Sequence, residues 1–196
     1  MGWPKAVNQQ LRKISRQGME QAAGTFSRLL QQPVSIQVID AWMSDQSKNK
    51  PLPAIDGIGV YMAIEGDFSG GLLLFLVDNC ARGLTAKLLR CEPLLELLEE
   101  PASSTLKEIG NIIASAFLAS IDDQLGLRSL PTPPALSHGS IGALVECSQR
   151  DSNEPCLVVH TRLTNGVERS ELLQGESYLF LSCHTMNQLV ARLPKS

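Results

Sequence analysis

The chain alternates between stretches with the helical spacing of apolar residues and stretches that alternate as strands do. Residues 8–31 carry an apolar residue every three or four positions and predict one long helix, which Pro33 ends. Residues 34–42 alternate apolar and polar positions, which predicts a strand. Two further strands are predicted at 57–66 and 70–77. The last of these is apolar throughout, which is typical of a central strand covered on both faces.

The second half of the chain follows a similar order. Helical spacing returns before and after a short acidic segment, CEPLLELLEEPAS, for which we predict a helical connector broken by Pro93 and Pro101. Pro101 suits the first turn of the second long helix, and Gly126 suits its end. The remaining predicted elements are helix 79–90, long helix 101–125, an extended segment 128–136, helix 140–149, strands 155–164 and 177–183, and a closing helix from His184.

This order predicts an α+β fold built from a degenerate internal repeat. Sliding the chain by about half its length aligns residues 11–16 with residues 106–111, and both segments contain Leu-x-x-Ile. We predict a single domain, 1–196, with pseudo-repeat halves at about 8–95 and 101–196. The two halves are expected to share one continuous sheet, mixed or antiparallel, with the two long helices packed on one face.

Composition excludes several classes of function. The formal net charge of −3 gives no electrostatic reason to expect nucleic acid or an anionic membrane surface as a partner. No apolar run approaches the roughly 20 residues that cross a bilayer. The beginning of the sequence has neither the apolar region of a signal peptide nor a myristoylation signal. We therefore expect a cytoplasmic protein.

The cysteines and histidines show no ligand pattern. The five cysteines are odd in number and include no CxxC pair, so we expect buried or partly buried free thiols rather than zinc ligands or disulfides. His160 lies in CLVVHTRL, where we expect a residue on the face of a strand. The cysteines are Cys80, Cys91, Cys147, Cys156 and Cys183, and the other histidines are His138 and His184.

The chemically suggestive residues lie on the second long helix. Leu106, Ile109, Ile113, Ala116, Phe117 and Ser120 mark its buried side, and Ser104, Glu108, Asn111, Ser115 and Asp122 mark the opposite side. The carboxamide of Asn111 can hold a water molecule in a chosen orientation, and the carboxylate of Glu108 can pair with a lysine or arginine of a partner. Neither group is a strong nucleophile, so the pair favours positioning chemistry, of which phosphoryl transfer is the leading example.

Simpler interpretations remain open for the same residues. Glu and Asn on an outer helix face are usually only solvated. Thr105 and Glu108 also fit a capping box, in which Glu108 reaches back to a free N–H group. Gly110, in mid-helix, costs about 1 kcal/mol against alanine and indicates close approach either by a partner or by packing within the chain.

The same segment resembles the active-site signature of the CheC/CheX/FliY family of chemotaxis phosphatases. That signature is Asp or Ser, three residues, Glu, two residues, Asn, twenty-two residues and Pro, and it is met by Ser104, Glu108, Asn111 and Pro134. The layout resembles a single-site CheC across nearly the whole chain. The resemblance implies hydrolysis of the aspartyl phosphate on a CheY-like response-regulator receiver.

The resemblance also implies roles and partners. Asn111 would orient the attacking water, Glu108 would pair with the lysine of the receiver, and Ser104 and Pro134 would shape the contact surface. The receiver would supply Mg²⁺, so this chain would need no cofactor of its own. A receptor deamidase, CheD, is a further candidate partner.

The first half departs from the family pattern. The repeat aligns Glu108 with Lys13 and Asn111 with Arg16, so both catalytic residue types are missing there. A cation at each place would repel the lysine of a receiver. We therefore predict one active site, on the second helix. A non-catalytic adaptor that binds receivers or CheD, and an α+β domain unrelated to signalling, remain as alternatives.

Overall fold

A computed structural model describes residues 5–44, 52–67, 69–150, 156–165 and 174–192. The helices are α1 Lys5–Leu30, α2 Asp78–Leu89, α3 Ala102–Leu125, α4 Ile141–Arg150 and α5 Cys183–Arg192. The strands are β1 Val34–Met43, β2 Asp56–Gly66, β3 Gly70–Val77, β4 Ser129–Pro131, β5 Ala135–Ser140, β6 Cys156–Asn165 and β7 Gln174–Ser182. The predicted order of elements is confirmed, and the predicted extended segment consists of two short strands, β4 and β5.

One predicted element is wrong. The acidic segment between α2 and α3 contains turns and bends rather than a helical connector. Pro93 and Pro101 leave only a short stretch between them, too short for an isolated helix to be stable. The carbonyl groups of Leu94 and Leu95 instead accept hydrogen bonds from the guanidinium group of Arg82, so their backbone is satisfied without helical pairing.

The described strands form one seven-stranded sheet in which every pairing is antiparallel. The order is β1-β6-β7-β3-β2-β4, with β5 also paired to β2. Exchanging β1, β2 and β3 with β5, β6 and β7 turns the order β1-β6-β7-β3-β2-β5 into its reverse. The connectivity therefore has the twofold character of two related halves joined at the β3–β7 pair.

Helices cover both faces of this sheet. The larger core lies between the sheet and the long helices α1 and α3, and it also takes in residues of α2 and α5. The smaller core lies on the opposite face, under α4. Strand β3 supplies Leu72, Leu74 and Leu76 to the first core and Leu73 and Phe75 to the second. The expectation that β3 is central and covered on both faces is thus confirmed, as is the packing of the two long helices on one face.

A buried polar cluster interrupts the smaller core near β6 and β7. The ring of His160 stacks on Tyr178, with the ring centroids 4.6 Å apart, and its edge meets Trp42. Glu176 accepts a 2.6 Å hydrogen bond from the hydroxyl group of Tyr178. His160 Nε2 lies 3.1 Å from Glu176 Oε2. His160 is therefore a buried face residue of a strand, as predicted.

This cluster predicts a dependence of stability on pH. Its contacts with His160 and Tyr178 lower the pKa of the Glu176 carboxyl group, against the opposing effect of burial. The folded chain therefore keeps Glu176 charged to lower pH than the unfolded chain does. The resulting stabilisation is present above the ordinary glutamate pKa of about 4.3 and is lost as the pH falls through the folded-state value.

We expect the free energy of unfolding of the wild type to fall toward that of Glu176→Gln as the pH is lowered from about 6 to about 3. Urea denaturation of both proteins across this range measures the difference. A difference that stays constant, or widens with acidification, would contradict this role of Glu176.

Candidate active site

Helix α3 presents a polar stripe, formed by Ser104, Glu108 and Asn111, opposite its buried side. Leu106, Ile109, Ile113 and Phe117 are all buried in the larger core, as their spacing predicts. On the other side Ser104 and Glu108 are exposed and Asn111 is half-buried. Glu108 and Asn111 are separated by one helical turn and so are neighbours on the surface of the helix. Neither side chain makes a hydrogen bond or an ion pair with another described residue, so both groups face outward unengaged.

The beginning of α3 excludes the capping-box interpretation of Glu108. The helix begins at Ala102, with Pro101 as its N-cap residue. Thr105 is therefore inside the first turn rather than at the cap, and its hydroxyl group donates to the carbonyl oxygen of Pro101 at 3.0 Å. Glu108 lies beyond that turn and has no free N–H group of this cap to accept from.

Ser104 lies at the boundary between α3 and the acidic segment that precedes it. Its hydroxyl group donates to the carbonyl oxygen of Pro101 at 3.1 Å. The nearby hydroxyl groups of Ser104 and Ser103 lower the pKa of the exposed Glu100 carboxyl group. The Ser103 hydroxyl is 2.8 Å from Glu100 Oε1. Hydrogen bonds thus connect the first turn of α3, where the polar stripe starts, to the acidic segment that precedes the helix.

Gly110 holds α3 against the sheet. A Cβ atom at this position would lie 2.6 Å from Val60 Cγ1, which is far closer than carbon atoms approach, and Val60 is fully buried. Of the two explanations for a mid-helix glycine, packing within the chain is therefore correct: the neighbour is strand β2. The residue next to Asn111 is fixed to the centre of the fold, so the backbone that carries the carboxamide is rigid.

The C-terminal end of α3 differs from the sequence expectation. Asp122 is half-buried rather than part of the exposed stripe. Its Oδ2 accepts a 3.0 Å hydrogen bond from the backbone N–H of Ser129, in β4. Its Oδ1 is buried and has no hydrogen-bond partner among the described residues, and burial raises the pKa of this carboxyl group. Asp122 therefore attaches the helix end to the outer edge of the sheet, while Gly126, at a φ of 64°, ends the helix as predicted.

Pro134 lies at that same edge. It directly precedes β5, in which Leu136 pairs with Val60 and packs on the core beneath the helices. Pro134 itself precedes the strand, at the point where the chain enters the edge of the sheet. Because Gly110 packs on Val60, the helix passes Val60 at the level of Asn111. The fold thus brings the strand that follows Pro134 against β2, the strand on which α3 packs at Gly110.

The sequence did not predict a further polar pair on this side. His138 follows Leu136 by two positions and so shares its face. Its Nε2 lies 3.1 Å from both carboxylate oxygens of Asp78, the first residue of α2. In the sequence, this pair could be anticipated only from the alternation of Pro134, Leu136 and His138. That alternation does not say which face of the sheet the residues occupy until the pairing of β5 with β2 is known.

The corresponding residues of the first half also face outward. Lys13 and Arg16 lie on α1 and are exposed, and Arg16 Nε contacts Glu20 Oε1 at 2.8 Å. No carboxylate or amide takes the place of Glu108 or Asn111 at these two positions.

The cysteines need one correction. Cys80 and Cys156 are buried and Cys183 is intermediate, but Cys91 and Cys147 are exposed rather than buried or partly buried. Cys91 lies at the start of the irregular segment and Cys147 on the outer side of α4, positions that core packing does not cover. In the described part of the chain, no group of three or more His, Cys, Asp or Glu side chains could hold a metal ion. No described helix is long and apolar enough to cross a membrane.

Comparison with known proteins gives this site a context. Residues 102–138, which include Ser104, Glu108, Asn111 and Pro134, match the model of the CheC-like family. Among solved structures, the chain is similar to FliY from Thermotoga maritima, with 15% identity, a TM-score of 0.73 and coverage of 98% of both chains.

Two further structures extend the comparison. A chain of the CheX–CheY–BeF3–Mg²⁺ complex from Borrelia burgdorferi is 19% identical, with a TM-score of 0.56 over 84% of this chain and 95% of that chain. A chain of the FliM–SpeE complex from H. pylori is 14% identical, with a TM-score of 0.67 over 97% of this chain and 98% of that chain.

These comparisons define the chain as a protein with a CheC-like α+β fold. Within that class, the part of the chain that matches the CheC-like family model comprises α3, β4 and the beginning of β5. The predicted resemblance to the CheC/CheX/FliY family is therefore confirmed.

Proposed function

We propose that this protein hydrolyses the aspartyl phosphate of a CheY-like receiver domain. The observation that carries the proposal is the outward-facing Glu108–Asn111 pair on a helix that Gly110 fixes to the sheet. The match of residues 102–138 to the CheC-like family supports it. So does the similarity to a chain from a complex of CheX with CheY.

The reaction needs positioning rather than a protein nucleophile. A water molecule attacks the phosphorus atom, and the bond from phosphorus to the aspartate oxygen breaks, which releases phosphate and a free carboxylate. Asn111 supplies a carboxamide that both donates and accepts hydrogen bonds, so it can hold the water in line with that bond. Because α3 is packed on the sheet, little conformational freedom is lost when the water is held. Mg²⁺ would come with the receiver, so this chain contributes no metal ligand.

Glu108 supplies recognition. Its carboxylate is exposed and makes no ion pair with a described residue, so it can pair with the lysine of a receiver without breaking an internal contact. Ser104 and Pro134 flank the pair and shape the surface that the receiver covers. Lys13 and Arg16 offer two cations at the corresponding positions of α1, so we propose that catalysis occurs at α3 alone.

We expect Glu108→Gln to raise the apparent KM for a phosphorylated receiver by about 5- to 30-fold, with a much smaller change in kcat. The substitution keeps the size and hydrogen-bonding capacity of the side chain but removes its charge. Steady-state phosphate release at varied receiver concentration separates the two parameters. An unchanged KM would rule out the pairing of Glu108 with a receiver lysine.

A second candidate is a binding module of the same fold. A chain of the FliM–SpeE complex has a similar fold, so this fold is found in a complex of two proteins. Such a module would bind phosphorylated receivers, or CheD, without releasing phosphate. The discriminating experiment incubates the chain with each phosphorylated receiver of the same organism in the presence of Mg²⁺. Catalytic phosphate release supports the phosphatase, whereas stable co-elution without release supports the adaptor.

A further inference from the structure

The acidic segment before α3 carries two outward-facing leucines. We name residues 91–100 the acidic connector. Its Leu97 is buried in the larger core and its Leu94 is half-buried against that core. Leu95 and Leu98 point the other way and are 77% and 52% exposed. Isolated exposed leucines are ordinary on protein surfaces, but here two lie three positions apart on one short segment.

The acidic connector is fixed in place rather than loosely attached. Arg82 Nη1 donates to the carbonyl oxygens of Leu94, at 2.6 Å, and of Leu95. At the other end, the backbone N–H of Ser103 donates to the carbonyl oxygen of Glu99 at 2.8 Å. The anchored backbone keeps the outer leucines from folding back onto the core. A partner that covers them therefore has little ordering entropy to overcome.

The charges within the acidic connector are all negative, while the cations nearest to it in the sequence are Arg90, which precedes it, and Lys107, whose charge acts on Glu100. Glu92, Glu96, Glu99 and Glu100 are all exposed, and no lysine or arginine occurs between residues 91 and 100. Glu108 adds another exposed carboxylate on the adjoining helix. A complementary partner surface carries basic side chains around an apolar patch.

We propose that the acidic connector is a second contact surface for the receiver whose phosphate the α3 site removes. This proposal rests on the proposed function and adds a determinant of partner choice to it. The two surfaces are continuous, because Ser104 of the polar stripe donates to the carbonyl oxygen of Pro101, and the adjacent Ser103 hydroxyl donates to Glu100 Oε1. Ser104 and Asn111 are only about 10 Å apart along the helix axis. A typical interface of roughly 800 Å² per partner spans more than that distance. The expected receiver carries basic and apolar side chains beside its phosphorylated aspartate.

Kinetics provide the first test. The double variant Leu95→Ser/Leu98→Ser should raise the KM for the phosphorylated receiver by about tenfold and leave kcat unchanged, because burial of apolar area is lost and Asn111 is intact. Ile39→Thr is the control, since Ile39 is 42% exposed on β1, at the opposite edge of the sheet. It should leave KM unchanged. Equal KM values for the double variant and the wild type would overturn the proposal.

Two native cysteines provide a second test that does not need turnover. Cys91 begins the acidic connector, whereas Cys147 lies on α4 on the opposite face of the sheet, and both are exposed. A receiver loaded with beryllofluoride and Mg²⁺, which mimics the phosphorylated state, should slow alkylation of Cys91 at least fivefold and leave that of Cys147 unchanged. Unchanged alkylation of Cys91 at a saturating receiver concentration would overturn the proposal.

The two tests separate this proposal from the proposed function. If the wild type releases phosphate while Cys91 and the KM of the leucine variant are unaffected, only the docking proposal fails. If the receiver protects Cys91 but no phosphate is released, the phosphatase fails and the docking surface stands. If no receiver binds, both are overturned.

Discussion

Asn111→Ala is expected to lower the rate of receiver dephosphorylation by about a hundredfold or more, the usual effect of removing one hydrogen-bonding group that acts in the transition state. The free energy of unfolding should stay within about 0.5 kcal/mol of the wild type or rise slightly. Asn111 is half-buried and makes no hydrogen bond with another described residue, and alanine is the better helix former. Single-turnover phosphate release and urea denaturation measure the two quantities.

The loss should appear in kcat rather than in KM, because Asn111 is proposed to hold the water rather than the receiver. Asn111→Asp should be inactive as well, since a carboxylate of similar size repels the phosphoryl oxygens. Gln124→Ala is the matched control: it removes a carboxamide from the same helix, one that bonds to the carbonyl oxygen of Ser120 instead. Full activity in Asn111→Ala would exclude this residue from the chemistry.

Local patterns in the sequence predicted most of α3. The spacing of Leu106, Ile109, Ile113 and Phe117 identifies the buried side because one helix face packs on one core. Gly126 predicts the end of the helix because it can adopt a positive φ. These features depend only on residues that are neighbours in the sequence, so they could be predicted without knowledge of the fold.

The features that were missed depend on contacts between distant parts of the chain. Asp122 has the spacing of an exposed residue, yet it is half-buried because β4 returns to the helix end and places the N–H of Ser129 against it. The acidic connector has a helix-forming composition, but two of its backbone carbonyl groups accept hydrogen bonds from Arg82 instead of pairing within a helix. A single sequence does not show which distant residue supplies a hydrogen bond.

Gly110 shows the same limit at the centre of the candidate site. Its position in a helix indicated close approach, but only the structure identifies Val60 as the neighbour. The exposure of Glu108 and Asn111, by contrast, follows from the helical periodicity that also predicts the buried side. The assignment of Glu108 and Asn111 to an active site stays a prediction, and the tertiary packing explains why their helix is held in place.

Gly110→Ala is expected to destabilise the protein by about 1–3 kcal/mol, although alanine is the better helix former. The added methyl group would lie 2.6 Å from Val60 Cγ1. Val60 is fully buried and β-branched, so it cannot turn away cheaply, and the helix must move off the sheet. Asn111 moves with it, so dephosphorylation should fall even though the carboxamide is intact. Urea denaturation and phosphate release measure the two effects.

Gly24→Ala is the matched control for this change. Gly24 also lies inside a long helix, α1, but a Cβ atom there would meet nothing within 4 Å. Its replacement should stabilise the protein by about 0.5–1 kcal/mol. Opposite signs for the two glycine substitutions would therefore isolate packing from helix propensity. Stabilisation by Gly110→Ala as well would contradict the close contact of α3 with β2.

Val60→Ala tests the same contact from the strand side, because it removes the Cγ1 atom that the new methyl group would strike. Val60→Ala alone should destabilise the protein by leaving space in the core. The double variant Gly110→Ala/Val60→Ala should be more stable than the sum of the single effects predicts, by about 1 kcal/mol or more. It should also recover part of the dephosphorylation rate lost in Gly110→Ala, since the helix can return toward the sheet and restore the position of Asn111. Strictly additive energies would mean that Val60 does not set the position of α3.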